Sequence, residues 1–365
     1  MLTDDCTIHY GRLWDGISDT LAGPGKLCIS GGHIGGPPAL LPQQEIDLSL
    51  FTLLPALIDC HLHLALPSAE TSQLHKRAAG LLASGVAAVR DAGSPFFPLP
   101  SLPPLCVAAT GTGIGRAGNY GGQIGKLTAS KKEAEGLVDS LAACGVRQIK
   151  VIASGIFSFS SYGEVGPPSF SEEELSSIVR RAQHHGLPVM AHASGDEAVR
   201  RCIKAKVHSI EHGYFITENT LHLLAESGIF WVPTLCPVSA FLEDHSLLCG
   251  QASIAVIRRS LHRQMKLVSL GAQLGVTIGA GTDAGAPGVT HGPSLHRELS
   301  LLIECGLSVP QALRAATSSA ARICGLERDM GAVLPGRKPY LLAVRGNPLE
   351  SLSLLPGIEH ILLPS

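Results

Sequence analysis

At 365 residues, with 45% hydrophobic and 16% charged side chains, the chain can build one large barrel or sandwich, or two medium domains, around a sizeable core. Its formal net charge is -2 and no Lys or Arg run occurs, so there is no electrostatic footprint for nucleic acid or an anionic membrane. No apolar stretch approaches the roughly 20 residues that span a bilayer, and the start Met1-Leu2-Thr3-Asp4-Asp5-Cys6 has neither a basic nor an apolar leader segment, so a cytoplasmic protein is expected.

Residues 1–54 read as short strand-like pieces broken by Gly31-Gly32-His33 and Gly35-Gly36-Pro37-Pro38. Eight apolar runs follow, at 56–64, 86–91, 106–110, 148–153, 188–192, 209–212, 230–234 and 276–282. Their near-continuous apolarity fits strands covered on both faces, as in a parallel sheet. Amphipathic helical patterns lie between them, including 131–144, 172–185 and 218–227. Ser171-Glu172-Glu173-Glu174 opens the second of these as a capping box, and Ser308-Val309-Pro310-Gln311 opens a later helix in the same way. Ser154 to Pro168, rich in Ser, Gly and Pro, reads as a long loop after the fourth strand.

Eight strands alternating with helices predict an α/β fold, a (β/α)8 TIM-like barrel over residues 55–329. From about residue 330 the pattern returns to short strands such as Tyr340-Leu341-Leu342-Ala343-Val344. Neither flank can bury a core alone. The economical solution joins residues 1–54 and 330–365 as one small β-sandwich beside the barrel. The ten cysteines are scattered singly without Cys-x-x-Cys spacing, which reads as reduced core residues of an intracellular protein. A homo-oligomer is compatible with the composition and not required by it.

The polar residues at the strand ends carry the chemistry. On a strand, His61-Leu62-His63 aims two imidazoles at the same side. In a barrel the C-terminal ends of all strands meet at one face, which would bring Lys150, His192, His212 and Asp283 to the same mouth. Each has a bland alternative: a hydrogen-bonded core histidine for His192, a snorkelling strand end for Lys150, a helix N-cap for Asp283. Their order on successive strands favours a divalent-metal site over the separate alternatives.

The order His-x-His, Lys, His, His, Asp on strands one, four, five, six and eight resembles the amidohydrolase superfamily over nearly the whole chain. Within it the chain is most similar to the imidazolonepropionase-related and prolidase-like members. Leu54-Pro55-Ala56-Leu57-Ile58-Asp59, Ser209-Ile210-Glu211-His212-Gly213, Val232-Pro233-Thr234-Leu235 and Gly281-Thr282-Asp283-Ala284-Gly285 carry the resemblance. Two departures stand out: Ala56 replaces the usual Gly, and Pro339-Tyr340 replaces the usual Ala-Asp.

The resemblance implies two metals, with His61, His63 and Asp283 on the more buried one and His192 and His212 on the more exposed one. Lys150, carbamylated by carbon dioxide, would bridge them. Burial and like charge would depress the Lys150 pKa, and the neutral amine can then form the anionic carbamate. Two divalent ions ~3.5–4 Å apart would acidify a bridging water to hydroxide and polarise a carbonyl. Asp283 would take the proton and pass it to the leaving group. Zinc is the default, with Mn, Co or Fe accepted by the same ligands.

The implied activity is metal-dependent hydrolysis of a C–N amide bond, with a dipeptide-like or N-acyl amino acid substrate favoured. The alternative is a ring-opening or deaminating hydrolase of a small cyclic amide, lactone or amidine. Mononuclear deaminating relatives lack the strand-four lysine and carry a Glu three positions after the fifth-strand His, where this chain has Gly195. A catalytically dead scaffold would be expected to have lost ligands, and all six are present. Candidate substrate contacts on the loops are Tyr120, Tyr162, Tyr214 and His291, and no Arg cluster accompanies them.

Overall fold

The computed structural model describes residues 1–35 and 43–364, so most of the expected break at Gly35-Gly36-Pro37-Pro38 lies outside the described residues. The N-terminal flank supplies β1 (Cys6–Leu13), β2 (Gly25–Ser30), β3 (His33–Ile34) and β4 (Gln44–Pro55). The barrel then runs through β5 (Leu57–Leu62), α1 (Thr71–Ala83), β6 (Val86–Asp91), β7 (Cys106–Ala109), β8 (Gly113–Arg116), β9 (Gly125–Thr128), α2 (Lys131–Ala143), β10 (Ile149–Ile152) and α3 (Glu172–His184). It continues with β11 (Val189–Ala193), α4 (Asp196–Ala205), β12 (Ser209–His212), α5 (Glu218–Ser227), β13 (Phe230–Val232), α6 (Cys236–Glu243), α7 (Ile254–Gln273) and α8 (Pro293–Glu304). Helices α9 (Val309–Ala315) and α10 (Ser318–Cys324) follow, then β14 (Leu341–Val344) and β15 (His360–Leu362).

Every residue of β5, β6, β10, β11 and β12 is buried, as the unbroken apolar runs require of strands covered on both faces. These strands pair in parallel, β5 with β6 and β6 with β7 on one side, β8 with β10, β10 with β11, β11 with β12 and β12 with β13 on the other. The third barrel strand is split. The chain breaks at Gly111, whose φ of +71° leaves no room for a side chain between Leu141 and Val146, and resumes as β8.

The run at 276–282 is extended but is not a regular strand, which corrects the expectation for the eighth element. Isolated bridges from Trp231 to Ile278 and from Leu62 to Ala284, with Cys60 N donating to Ala280 O and Asp283 N to His61 O, close the barrel between β13 and β5. Gly279 and Gly281 explain the irregularity. A Cβ at either would lie 2.4–2.5 Å from Ile323 or Val232, so backbone replaces side chains in the space between neighbouring strands. Both capping boxes form: Ser171 with Glu174 at α3 and Ser308 with Gln311 at α9.

The two flanks share one six-stranded sheet, in the order β15-β14-β4-β1-β2-β3. Its alternating inner residues, with Ile8, Ile29, Leu53 and Leu341 among them, bury a second, smaller core. The two sequence departures meet where this sheet joins the barrel, because Ala56 N donates to Tyr340 O. Among the described residues, no helix is long and apolar enough to cross a membrane.

Candidate active site

The barrel delivers its strand ends as the period-two argument expects. His61 lies at the end of β5 and His63 just past it, Lys150 is in β10, His192 in β11, and His212 is the last residue of β12. Asp283 comes from the closing segment. The rings of His192 and His212 are 4.5 Å apart, those of His61 and His212 4.9 Å, and those of His61 and His63 5.6 Å. Asp283 Oδ1 lies 3.2 Å from His63 Nε2 and 3.6 Å from His61 Nε2. The tightest donor group is His61, His212 and Asp283, whose ligand atoms all lie within 4.8 Å of one another. That group cuts across the division of ligands between two metals implied by the resemblance.

The outward edges of the rings are anchored. His61 Nδ1 is 2.7 Å from Glu211 Oε2, His63 Nδ1 is 2.8 Å from Gly93 O, and His212 Nδ1 is 2.6 Å from Thr234 Oγ1. Thr234 spends its own hydroxyl proton on Pro233 O, so it accepts from Nδ1–H, which leaves the Nε2 lone pair of His212 facing inward. Glu211 is held in turn by both its oxygens on Arg90 Nη2, each at 2.9 Å, and by Ser209 Oγ. Arg90 and Glu211 are both fully buried, and the carboxylate holds the Arg90 guanidinium above its ordinary pKa against the cost of burial.

Backbone strain gathers here too. His212, Thr234 and Asp283 have φ of 70°, 47° and 55°, in the region that disfavours residues with a Cβ, at about 1–3 kcal/mol each. Hydrogen bonds hold the strained backbone in place. His212 O accepts from Gln264 Nε2 and Trp231 Nε1, while Asp283 N reaches His61 O at 2.6 Å.

Inward, the polar atoms are orphaned. His61 Nε2, His192 Nε2 and Lys150 Nζ are buried without a hydrogen-bond partner among the described residues. Leaving such groups bare costs about 1–3 kcal/mol apiece, so a cluster of them calls for an explanation. Burial pushes the Lys150 amine down to about 8 and His192 down to about 3, and holds His61 and His212 well below the ordinary histidine value. Burial alone would raise Asp283, yet the hydrogen bond with His63 and the closeness of His61, His63 and Lys150 bring it below the usual carboxylate range. The imidazoles of His61, His192 and His212, held neutral by burial, with His63, a depressed amine and an ionised carboxylate form a donor set that fits divalent cations.

The sequence pattern of the amidohydrolase family matches residues 52–360. The chain belongs to the amidohydrolase family. It is 31% identical over 222 residues to ochratoxinase of Aspergillus niger, a match that covers 60% of this chain and 45% of that protein. It is 29% identical over 206 residues to imidazolonepropionase of Deinococcus deserti, covering 53% and 44%. This amidohydrolase thus spans less than half the length of either relative. A solved Xaa-Pro dipeptidase with bound methionine superposes with a TM-score of 0.82 at 25% identity over 98% of both chains.

Above the converging groups lies a cavity of about 280 Å3. Tyr120 and Tyr214 line it, but two expected substrate contacts do not. Tyr162 packs its ring under Arg259, 3.6 Å from the guanidinium carbon, and against Phe215, outside the cavity lining. His291 faces a neighbouring groove, with Nε2 3.1 Å from His63 O. Both lie on loops after barrel strands and are drawn off by other partners.

Sequence reasoning gave no role to Phe157 and Phe159, which come from the 154–168 loop and form part of the wall, nor to Arg90, Thr234 and Gln264, which lie behind the converging side chains. Glu211 stood in a quoted motif without a role. A charged residue inside an otherwise apolar strand was the available signal for Arg90 and Glu211.

Proposed function

We propose that this chain is a binuclear metal-dependent amidohydrolase that cleaves a C–N amide bond, with a dipeptide-like or N-acyl amino acid as substrate. The observation that carries this reading is the inward convergence of His61, His63, Lys150, His192, His212 and Asp283 at the floor of a single cavity, three of them with orphaned buried atoms. Two divalent cations held there, zinc by the donor set, would supply an acidified water and a polarised carbonyl.

The chain's own residues do the rest. Lys150, whose amine burial makes easier to deprotonate, takes up carbon dioxide and becomes an anionic carbamate. Asp283 accepts the proton of the attacking water at its carboxylate and returns it to the departing nitrogen. Glu211, Gly93 O and Thr234 keep three imidazoles in one tautomer. Tyr214, whose buried hydroxyl has no partner among the described residues, offers a hydrogen bond to the substrate, and Tyr120 packs over His192 with ring centroids 5.4 Å apart.

In this reading the barrel of residues 55–329 holds all the chemistry, and the composite domain of 1–54 and 330–365 braces it. The ten free cysteines, most of them buried, accord with a reducing, cytoplasmic setting. Gly195 weighs against the deaminating alternative. Its φ of +82° and a Cβ position 3.3 Å from Val165 would strain a Glu there.

The test is amino-acid release from a library of dipeptides and N-acyl amino acids by protein reconstituted with zinc or manganese and bicarbonate. Turnover of a coherent subset is expected. No release from metal-loaded protein, with turnover of cyclic amides, lactones or amidines instead, would overturn the peptide-like reading.

A further inference from the structure

The cavity above the six converging groups has a polar floor and apolar walls. Ile156, Phe157 and Phe159 rise from the 154–168 loop, Pro237 and Val238 from the first turn of α6, and Leu66 from the loop after β5. This wall is built rather than loose. Phe157 stacks on Tyr214 with ring centroids 4.6 Å apart and planes 22° off parallel, and Phe159 meets Phe241 edge-on. The loop is closed by bridges from Ser154 to Pro168 and from Phe157 to Val165, and between them Gly155 and Gly166 touch backbone to backbone, at 2.7–2.9 Å from where a Cβ would stand.

Cations beyond the floor stand outside the cavity lining. Among the described residues Lys150 is the only Lys or Arg in the lining, and it belongs to the floor. Arg116 pairs with Glu174 at 3.0 Å, Arg259 stacks on Tyr162, and Arg263 donates to Ile216 O. Arg77, in the groove beyond Leu66, donates to the carbonyls of Leu64 and Ser68. A substrate carboxylate lodged against these walls, away from the floor and the cations it would hold, would lose its hydration with no positive partner, a penalty of several kcal/mol. A neutral aromatic or branched group gains from the same walls, by roughly 25 cal/mol for each Å2 of apolar surface buried.

We propose that the cavity receives the uncharged, aromatic or branched apolar half of a secondary amide, and that a carboxylate on the substrate, where there is one, stays in solvent at the mouth. This rests on the amide-hydrolase reading above and narrows it. The reaction itself balances with water alone: the C–N bond breaks, a C–O bond to the water oxygen forms, and a water proton goes to the leaving nitrogen, giving an amine and an acid. Tyr214 adds its ring to the same wall, stacked on Phe157.

Three probes test the proposal on the metal-loaded full chain: N-benzoyl-phenylalanine, N-benzoyl-phenethylamine, which lacks only the carboxylate, and N-succinyl-aspartate, in which neither half of the amide is uncharged and apolar. The first two are expected to have kcat/KM within about threefold of each other and the third to be at least about thirtyfold lower. Phe157→Ala is expected to cut kcat/KM for the two aromatic amides more than tenfold, chiefly through KM. A loss of thirtyfold or more on removing the carboxylate, or equal turnover of the aspartate compound, would overturn the proposal. If polar dipeptides are cleaved while all three probes are refused, the narrowing fails and the amide-hydrolase reading stands. If no amide of any kind is cleaved, both fall.

Discussion

His61 is held by a chain of charges that reaches away from the cavity, Arg90 to Glu211 to the Nδ1 edge of the ring, all of it fully buried. Such a pair contributes little stability over an apolar substitute, but removing one partner strands the other charge, at about 3–5 kcal/mol. Glu211→Gln should therefore lower the unfolding free energy by about that amount in a denaturant titration, and adding Arg90→Met should restore a good part of it. A double variant weaker than the single would refute the pairing. At Asp283 the expectation is different. Asp283→Asn keeps the shape of the side chain but removes the carboxylate proposed to accept the proton, so the thermal midpoint should hardly move while kcat falls about 10²–10⁴-fold; near-normal kcat would reassign the proton transfer. The ligand-type residues were legible in the sequence because metal-binding side chains are rare at the ends of apolar strands and recur in barrel order. Thr234 and Gln264 were not, since nothing local marks a residue that holds another, and Arg90 showed only as a charge inside an apolar strand. Tyr162 and His291 were named as polar residues on the loops after the strands, and the structure places them against Arg259 and His63 O.

Helix starts at the barrel mouth are tied to one another, and Asp196 is the clearest knot. It is the first residue of α4, and its Oδ1 accepts from the backbone N and the hydroxyl of Thr217, which caps α5, while Oδ2 accepts from Arg200. Burial alone would raise its pKa; the hydrogen bonds from Thr220, Arg200 and Thr217 outweigh that and hold it below the usual carboxylate value. A depressed carboxylate contributes stability that is present above its unfolded value of about 3.9 and is lost as pH falls through its folded value. Asp196→Asn should thus lower the thermal midpoint at pH 6 and flatten its fall below about pH 4; parallel curves for the two proteins would exclude the role. The elements around it were readable as well, since periodicity and capping boxes placed α2, α3 and α5 to within a residue or so. The closing segment at 276–282 was apolar enough to read as a strand, but Gly279 and Gly281 mark where neighbouring side chains fill its place, which only the packing reveals.

Over the whole molecule, the two chain ends depend on each other. Strand β14 lies between β15 and β4, Leu341 and Ala343 face the small sheet's core, and Leu342 and Val344 face the barrel's. A chain truncated at residue 330 would lose members of both cores and leave the edge of β4 bare, so it is expected to aggregate or unfold without a cooperative transition, whereas the full chain should melt in one step by both far- and near-ultraviolet dichroism. That flanks and barrel form separate sheets was visible in the change of pattern near residues 54 and 330; that the ends cross-pair could be read only from the inability of either to bury a core alone. The central claim concerns the cavity floor, where Lys150 would bridge two cations. The most direct measurement is metal content by inductively coupled plasma mass spectrometry, for wild type and Lys150→Ala, after reconstitution with zinc and bicarbonate and exhaustive dialysis. Two ions per wild-type chain, one or none in the variant, and partial recovery with added short-chain carboxylate are predicted. A folded variant that keeps both ions, or a wild type that never holds more than one, would contradict the account.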